Sequence, residues 1–454
     1  MNNKLFDRFP DPTPTFDCIR PLVEDWLKHY QKSITNLLCQ PDDWLIINRD
    51  LNGRVRLLLP ERFQDNEHSP ICYGLAAGLM QKLGRRGYPP KAAILFESSR
   101  DQALRGAVSY KIDYKPFPKV WLADRLASES NWTCIAPESA GVPRIVFYSI
   151  KGGVGRSTAL AATAWHMAQA GKRVLVLDLD LESPGLLSAL LKTDRQPQYG
   201  ITDWLVEDLV DNGAAVFKSM VATSDLALDG EIYVVPAHGA IHGEYIAKLG
   251  RVWMPKVQAD GTREIWSARL ERLLKQLESS VEPDVILIDS RSGIDEVASA
   301  CITDIGANLI LLFALDGSQT WNGYRLLFEQ WQHAQVAEQI RERLKIVAAM
   351  VPELERVSYL EGLRENAYSI FLDTLYDEIA PAPAISTETP EGWSFDEADE
   401  GAPHYPLTVH WNRGFASLRS LHGRLAGIDT LEVQSIFGSL IDGASAIVGP
   451  KEAL

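Results

Sequence analysis

The stretch Arg144–Asp180, "RIVFYSIKGGVGRSTALAATAWHMAQAGKRVLVLDLD", constrains the fold more than any other part of the chain. It opens on a run of apolar residues, Ile145 to Tyr148, long enough for a strand buried on both faces. Glycines follow at Gly152, Gly153 and Gly155. They let backbone N–H groups turn inward and face a bound anion. "TALAATAWHMAQAG" then reads as a helix, with Gly171 as its stop. The N-terminus of such a helix favours negative charge. "RVLVLDLD" is a second apolar strand. A strand, a glycine loop, a helix and a second buried strand are the sign of a parallel α/β sheet.

The alternation continues. "EIYVVPA" (231–237), "DVILIDS" (284–290), "NLILLFALD" (308–316) and "KIVAAMV" (345–351) are further strands, separated by helical stretches such as "SARLERLLKQLESS". The pattern predicts an α/β domain with a mostly parallel sheet between two helical layers over residues 141–454. An acidic, proline-rich stretch near 380–406 has no period and is expected as a loop or insertion. Residues 1–140 read as a smaller α+β domain. It has helical spacing at Ile19, Leu22, Trp26, Tyr30 and Ile34, strands on either side of Asn52-Gly53, and a helix closed by Gly84. It shows no catalytic constellation, so a recognition or docking role is expected by elimination.

Acidic residues end two of the buried strands. Asp178 and Asp180 follow "VLVL", and Asp289 follows "VILI". A carboxylate there is costly unless it meets a cation or a donor. Each alone reads equally well as a helix cap or a strand-end turn. Together, behind a phosphate loop, they point to Mg²⁺, with Ser157 as the hydroxyl ligand beside Asp178 and Asp289. Gly152, Gly153, Val154 and Gly155 would cradle the β-phosphate, and Thr158 would reach the α-phosphate.

These residues together resemble the deviant Walker A ATPases, the ParA/MinD group of P-loop NTPases. The resemblance covers about residues 143–350 well and the remainder loosely. It implies that Lys151 is the signature lysine, which crosses an ATP-sandwich dimer to the partner's phosphates. It further implies that Asp180 positions the attacking water, Asp289 holds hydrated magnesium and Gly293 reads the γ-phosphate. ATP and Mg²⁺ are the implied cofactors, and no guanine motif follows a late strand.

The chain departs from the family pattern in two places. Ile150 stands where a permissive residue is common. Arg156 stands where the loop's second lysine belongs, as in a branch named for its KGGVGR motif. Lysine is a compact point charge, whereas arginine is a planar fork of five donors. Arg156 is therefore expected to bind phosphate oxygens bidentately and to slow hydrolysis through a displaced charge. The implied function is an ATP-dependent dimerisation switch with slow turnover. The alternative is a non-hydrolysing nucleotide-bound scaffold or partner subunit, which the same branch would place in a bacterial defence or conflict system. A ligase or amidotransferase of the cobyrinate or dethiobiotin synthase type ranks last, because those enzymes lack the signature lysine.

Composition trims the partners. A net charge of −15 argues against broad nucleic-acid binding. The densest basic run, "QKLGRRGYPPK", reads most simply as a solvated turn. Five dispersed cysteines form neither a disulfide framework nor a metal motif. No apolar run reaches the length of a membrane span, the N-terminus lacks a signal-peptide core, and the C-terminal helix is too acidic to anchor on lipid, so a cytoplasmic location is expected. A protein partner is expected through the N-terminal domain. His238, His242 and Tyr245 lack a third ligand for a metal and read as a loop beside the nucleotide. Arg291 reads equally as a γ-phosphate sensor, a dimer contact or a surface ion pair. Trp411 beside Arg413 is the weakest candidate, a stacking surface for a base or partner.

Overall fold

The computed structural model describes residues 14–112, 119–126, 131–258, 260–378, 392–416 and 421–449. It divides into two compact units, Met1–Ser128 and Glu129–Leu454.

The first unit is a five-stranded mixed sheet, formed by β1 (Leu45–Arg49), β2 (Val55–Pro60), β3 (Ile94–Glu97), β4 (Val108–Lys111) and β5 (Val120–Asp124), in the order β3-β2-β1-β5-β4. β1 and β2 pair antiparallel around Gly53, which takes φ 71°, a left-handed value that glycine adopts without strain. One face of this sheet, with Leu45, Ile47, Leu57, Leu59 and Leu122, packs on α1 (Ile19–His29) and α2 (Ser69–Leu83). The helical spacing that runs through Tyr30 is interrupted there. Tyr30 leaves the helical region, and a separate short helix begins at Gln31. Gly84, at φ 55°, closes α2 as its sequence suggests. β4 was not legible in sequence because "AVSYK" is short and polar.

The second unit is an eight-stranded sheet. Its strands are β6 (Arg144–Ser149), β7 (Arg173–Asp178), β8 (Ala222–Thr223), β9 (Glu231–Val235), β12 (Val285–Asp289), β13 (Leu309–Ala314), β14 (Leu344–Val351) and β15 (Leu407–His410). A separate two-stranded ribbon comprises β10 (Lys256–Val257) and β11 (Arg263–Glu264). The order is β15-β14-β13-β6-β12-β7-β9-β8, and every pairing is parallel except β8 with β9. The chain runs outward from β6 through β7 to β9, returns to β12 between β6 and β7, then crosses to the other side of β6. Ligand crevices in such sheets form at the carboxyl ends of the strands beside that reversal.

The two faces are apolar for the expected reason. Ile145 and Phe147 lie in one core with α3 (Arg156–Gln169) and the helix Thr430–Ser445. Val146 and Tyr148 lie in the other, with the helices Trp266–Val281, Ser318–His333 and Arg356–Thr374. The stretch 136–144 belongs to this second unit: the N–H of Ala136 bonds to Thr303 and that of Ser139 to Gly306. Of the acidic, proline-rich stretch, 392–406 is described and folds back as irregular chain. There Trp393 and Phe395 pack beside Tyr376, and the Trp393 N–H bonds Asp377. Residues 379–391 lie outside the described residues.

Candidate functional site: a glycine loop closed by an arginine

The loop from Ile150 to Gly155 leaves the end of β6 and runs directly into α3. Gly153 and Gly155 take φ 75° and 80°, so both positions need glycine. Gly152 and Gly153 are exposed at the tip, whereas Val154 is buried beneath them. The loop is anchored from both sides. Ser149 Oγ donates to the Lys151 carbonyl at 2.8 Å, and the Ile150 side chain lies against Gly323 on the helix Ser318–His333. A Cβ at Gly323 would come within 2.4 Å of Ile150 Cγ2, so the unusual isoleucine and this glycine form a matched pair. The half-buried Lys151 makes no side-chain hydrogen bond or ion pair among the described residues. Ser157 and Thr158, partly exposed, sit in the first turn of α3.

Parallel register brings the expected carboxylates to the same place. Asp178 and Asp289 are direct cross-strand partners at the ends of β7 and β12, and Asp289 also pairs with Phe147 of β6. The loop after β12 is tied to β6: the Gly293 N–H bonds the Ser149 carbonyl at 3.0 Å, and Tyr148 Oη donates to the Gly293 carbonyl at 2.9 Å. Gly293 takes φ 94° and lies beside the glycine loop. Arg291 pairs with Glu182 and Asp295, the surface ion-pair alternative of its sequence reading.

Arg156 turns away from the loop tip and into this cluster. Its Nε donates to Asp289 Oδ1 at 2.6 Å, its Nη2 to Asp180 Oδ2 at 3.0 Å and its Nη1 to Ser149 Oγ at 3.0 Å. All three guanidinium nitrogens are engaged, and the side chain is only 6% exposed. Burial disfavours its charge, but Asp289 and Asp180 more than compensate and hold it firmly protonated. Sequence reasoning missed Ser149 as the third partner. The available signal was a serine at the end of a strand whose middle is apolar. Removing one member of a buried ion pair costs roughly 3–5 kcal/mol, so this arrangement resists displacement.

Asp178 is engaged differently. One of its oxygens accepts the N–H groups of Gly185 and Leu186, and the other accepts that of Asp180. Complete burial and the nearby Asp289 push its carboxyl up to about 8. Burial also raises Asp180, against the opposing pull of Arg156.

Magnesium takes near-octahedral oxygen ligands and binds few protein groups directly. Here the expected ligands Asp178 and Asp289 are turned to N–H donors, and the guanidinium lies between Asp289 and Asp180. The residues present do not fit a divalent cation in this arrangement. Among the described residues no group of three or more His, Cys, Asp or Glu side chains could hold a metal ion.

The other candidates lie elsewhere. His238, His242 and Tyr245 form a cluster of edge-on rings, with Tyr245 Oη donating to the Leu181 carbonyl at 2.7 Å. Trp165 and Met167 are core residues of α3. Trp411, 37% exposed, follows β15. The basic run places Arg85 and Arg86 with Arg54 around a cavity of about 420 Å³ in the first unit. No helix among the described residues is long and apolar enough to cross a membrane.

A family model described as the CobQ/CobB/MinD/ParA nucleotide binding domain matches residues 145–363. A search of curated proteins returns no match. Among solved structures, the pNOB8 ParA bound to nonspecific DNA is 15% identical with a TM-score of 0.41, over 68% of this chain and 97% of that one. The MinC:MinD cell division complex of Aquifex aeolicus is 15% identical with a TM-score of 0.40, over 69% and 98%. A ParA family ATPase from Chlorobium tepidum is 15% identical with a TM-score of 0.34, over 49% and 80%. Residues 145–363 of this chain thus match the CobQ/CobB/MinD/ParA nucleotide binding domain.

Proposed function

We propose that the chain binds ATP and acts as a nucleotide-dependent dimerisation switch that hydrolyses slowly. The observation that carries this reading is the glycine loop, with its left-handed Gly153 and Gly155 opening onto α3 in a domain of a nucleotide-binding family. The amides of Gly152 to Gly155 would receive the phosphates, Ser157 and Thr158 would bond phosphate oxygens, and Gly293 would meet the γ-phosphate. Lys151, without a side-chain partner among the described residues, would reach a second copy's phosphates. This lysine favours the switch over the ligase-type members of the same family.

Slow hydrolysis follows from Arg156. The two carboxylates that the resemblance gives to magnesium and to the attacking water are both occupied by a guanidinium. Asp180 has one oxygen drawn onto Nη2, which turns the carboxylate toward the guanidinium, and transfer of a phosphoryl group depends chiefly on positioning and charge. A scaffold that holds nucleotide without splitting it is the second reading, and the same contacts favour it. The N-terminal unit is proposed to recognise a protein partner.

Steady-state ATP turnover separates the two readings. Wild type is expected to turn over slowly, and Arg156→Lys roughly tenfold faster or more at similar affinity in magnesium buffer, because one ammonium cannot hold both carboxylates. Equal rates in both proteins would remove Arg156 from the account.

A further inference from the structure

The disagreement between the expected metal site and the residues present has a consequence for binding. We infer that Arg156 is the resident cation of this site, so that the chain binds the phosphates of a nucleoside triphosphate without a divalent metal ion. This rests on the proposed nucleotide binding and deepens it.

Three observations support it. First, the guanidinium already neutralises Asp289 and Asp180, the pair that a divalent ion would otherwise be needed to offset at the loop. Without a cation, two carboxylates, one at the end of β12 and one just beyond β7, would repel an incoming polyanion. Second, the guanidinium is held at three points, one of them Ser149, a neutral hydroxyl that gives it no charge to follow outward. To release Asp289 to a metal, Arg156 would have to give up both ion pairs and leave a buried site that is 6% exposed. Third, Asp178 is a poor substitute ligand, because it is fully buried and its oxygens already accept three backbone N–H groups. Anion recognition is left to the loop amides, the start of α3 and Lys151, none of which needs a metal.

A lysine at position 156 would behave differently. Its single ammonium cannot bridge both carboxylates and Ser149. One carboxylate would then be uncompensated, and a metal would recover the lost charge balance.

The test is the ATP dissociation constant of the full chain by titration calorimetry, in EDTA and again in excess Mg²⁺, for wild type and Arg156→Lys. The inference expects wild type to bind with affinities that agree within about threefold in the two buffers. It expects Arg156→Lys to gain about tenfold or more from Mg²⁺. Wild-type binding that appears only with Mg²⁺, or tightens by about thirtyfold or more, would overturn the inference and leave the ATP-binding reading standing. No binding of ATP in either buffer would overturn both. The wild-type comparison decides the matter even if Arg156→Lys fails to fold.

Discussion

At the scale of single residues, the site is governed by what each carboxylate faces. Asp289 and Asp180 face Arg156, whereas Asp178 faces backbone amides and its buried neighbour Asp289. This makes Asp178 a group whose proton is held by the folded state. Its carboxyl rises from 3.8 to about 8 on folding, so between those values the folded chain binds a proton that the unfolded chain has lost. Its contribution to stability therefore falls as pH rises from about 4 to about 8 and is at its lowest above that. Asp178→Asn keeps an acceptor for the amides and cannot ionise. Thermal melts from pH 6 to 8.5 should show wild type losing stability relative to Asp178→Asn. Parallel curves would mean that the Asp178 carboxyl is not raised.

At the scale of elements, the glycine loop is positioned by its packing as well as by its own sequence. Ile150 lies against the helix Ser318–His333, where Gly323 leaves the space it fills. Replacing a helical glycine with alanine ordinarily stabilises by about 0.5–1 kcal/mol. Here the sign should reverse. Gly323→Ala should destabilise by about 1–3 kcal/mol through overpacking and should weaken ATP binding by displacing the loop. Adding Ile150→Ala should restore both. A Gly323→Ala protein as stable as wild type would show that this contact does not hold the loop.

The strands and the helix of this region were legible because their apolar runs are long and bounded by glycine or charge. Register was not. That Asp178 and Asp289 stand opposite each other follows from the return of β12 between β6 and β7, a long-range event with no local signal. The direction of Arg156 was also hidden. The sequence reading aims it at phosphate, but Ser149, Asp180 and Asp289 converge on it only once three strands are assembled. The short strands β4 and β15 carried too few apolar residues to stand out.

At the scale of the whole molecule, the net charge of −15 requires that any anion be met by locally arranged cations. At the glycine loop the cations are Lys151 and Arg156, and they are used differently. Arg156 is turned inward onto its own chain's carboxylates, while Lys151 has no partner among the described residues. This division of labour is what the switch reading needs: an internal cation that slows hydrolysis, and an outward one to answer a second subunit. The most direct test is the mass in solution by light scattering, with and without saturating ATP, for wild type and Lys151→Ala. The account expects the 50.5 kDa chain to rise to about twice that mass only with ATP, and Lys151→Ala to remain a monomer while still binding nucleotide. A wild-type mass unchanged by bound ATP would contradict the switch and leave a nucleotide-holding scaffold in its place.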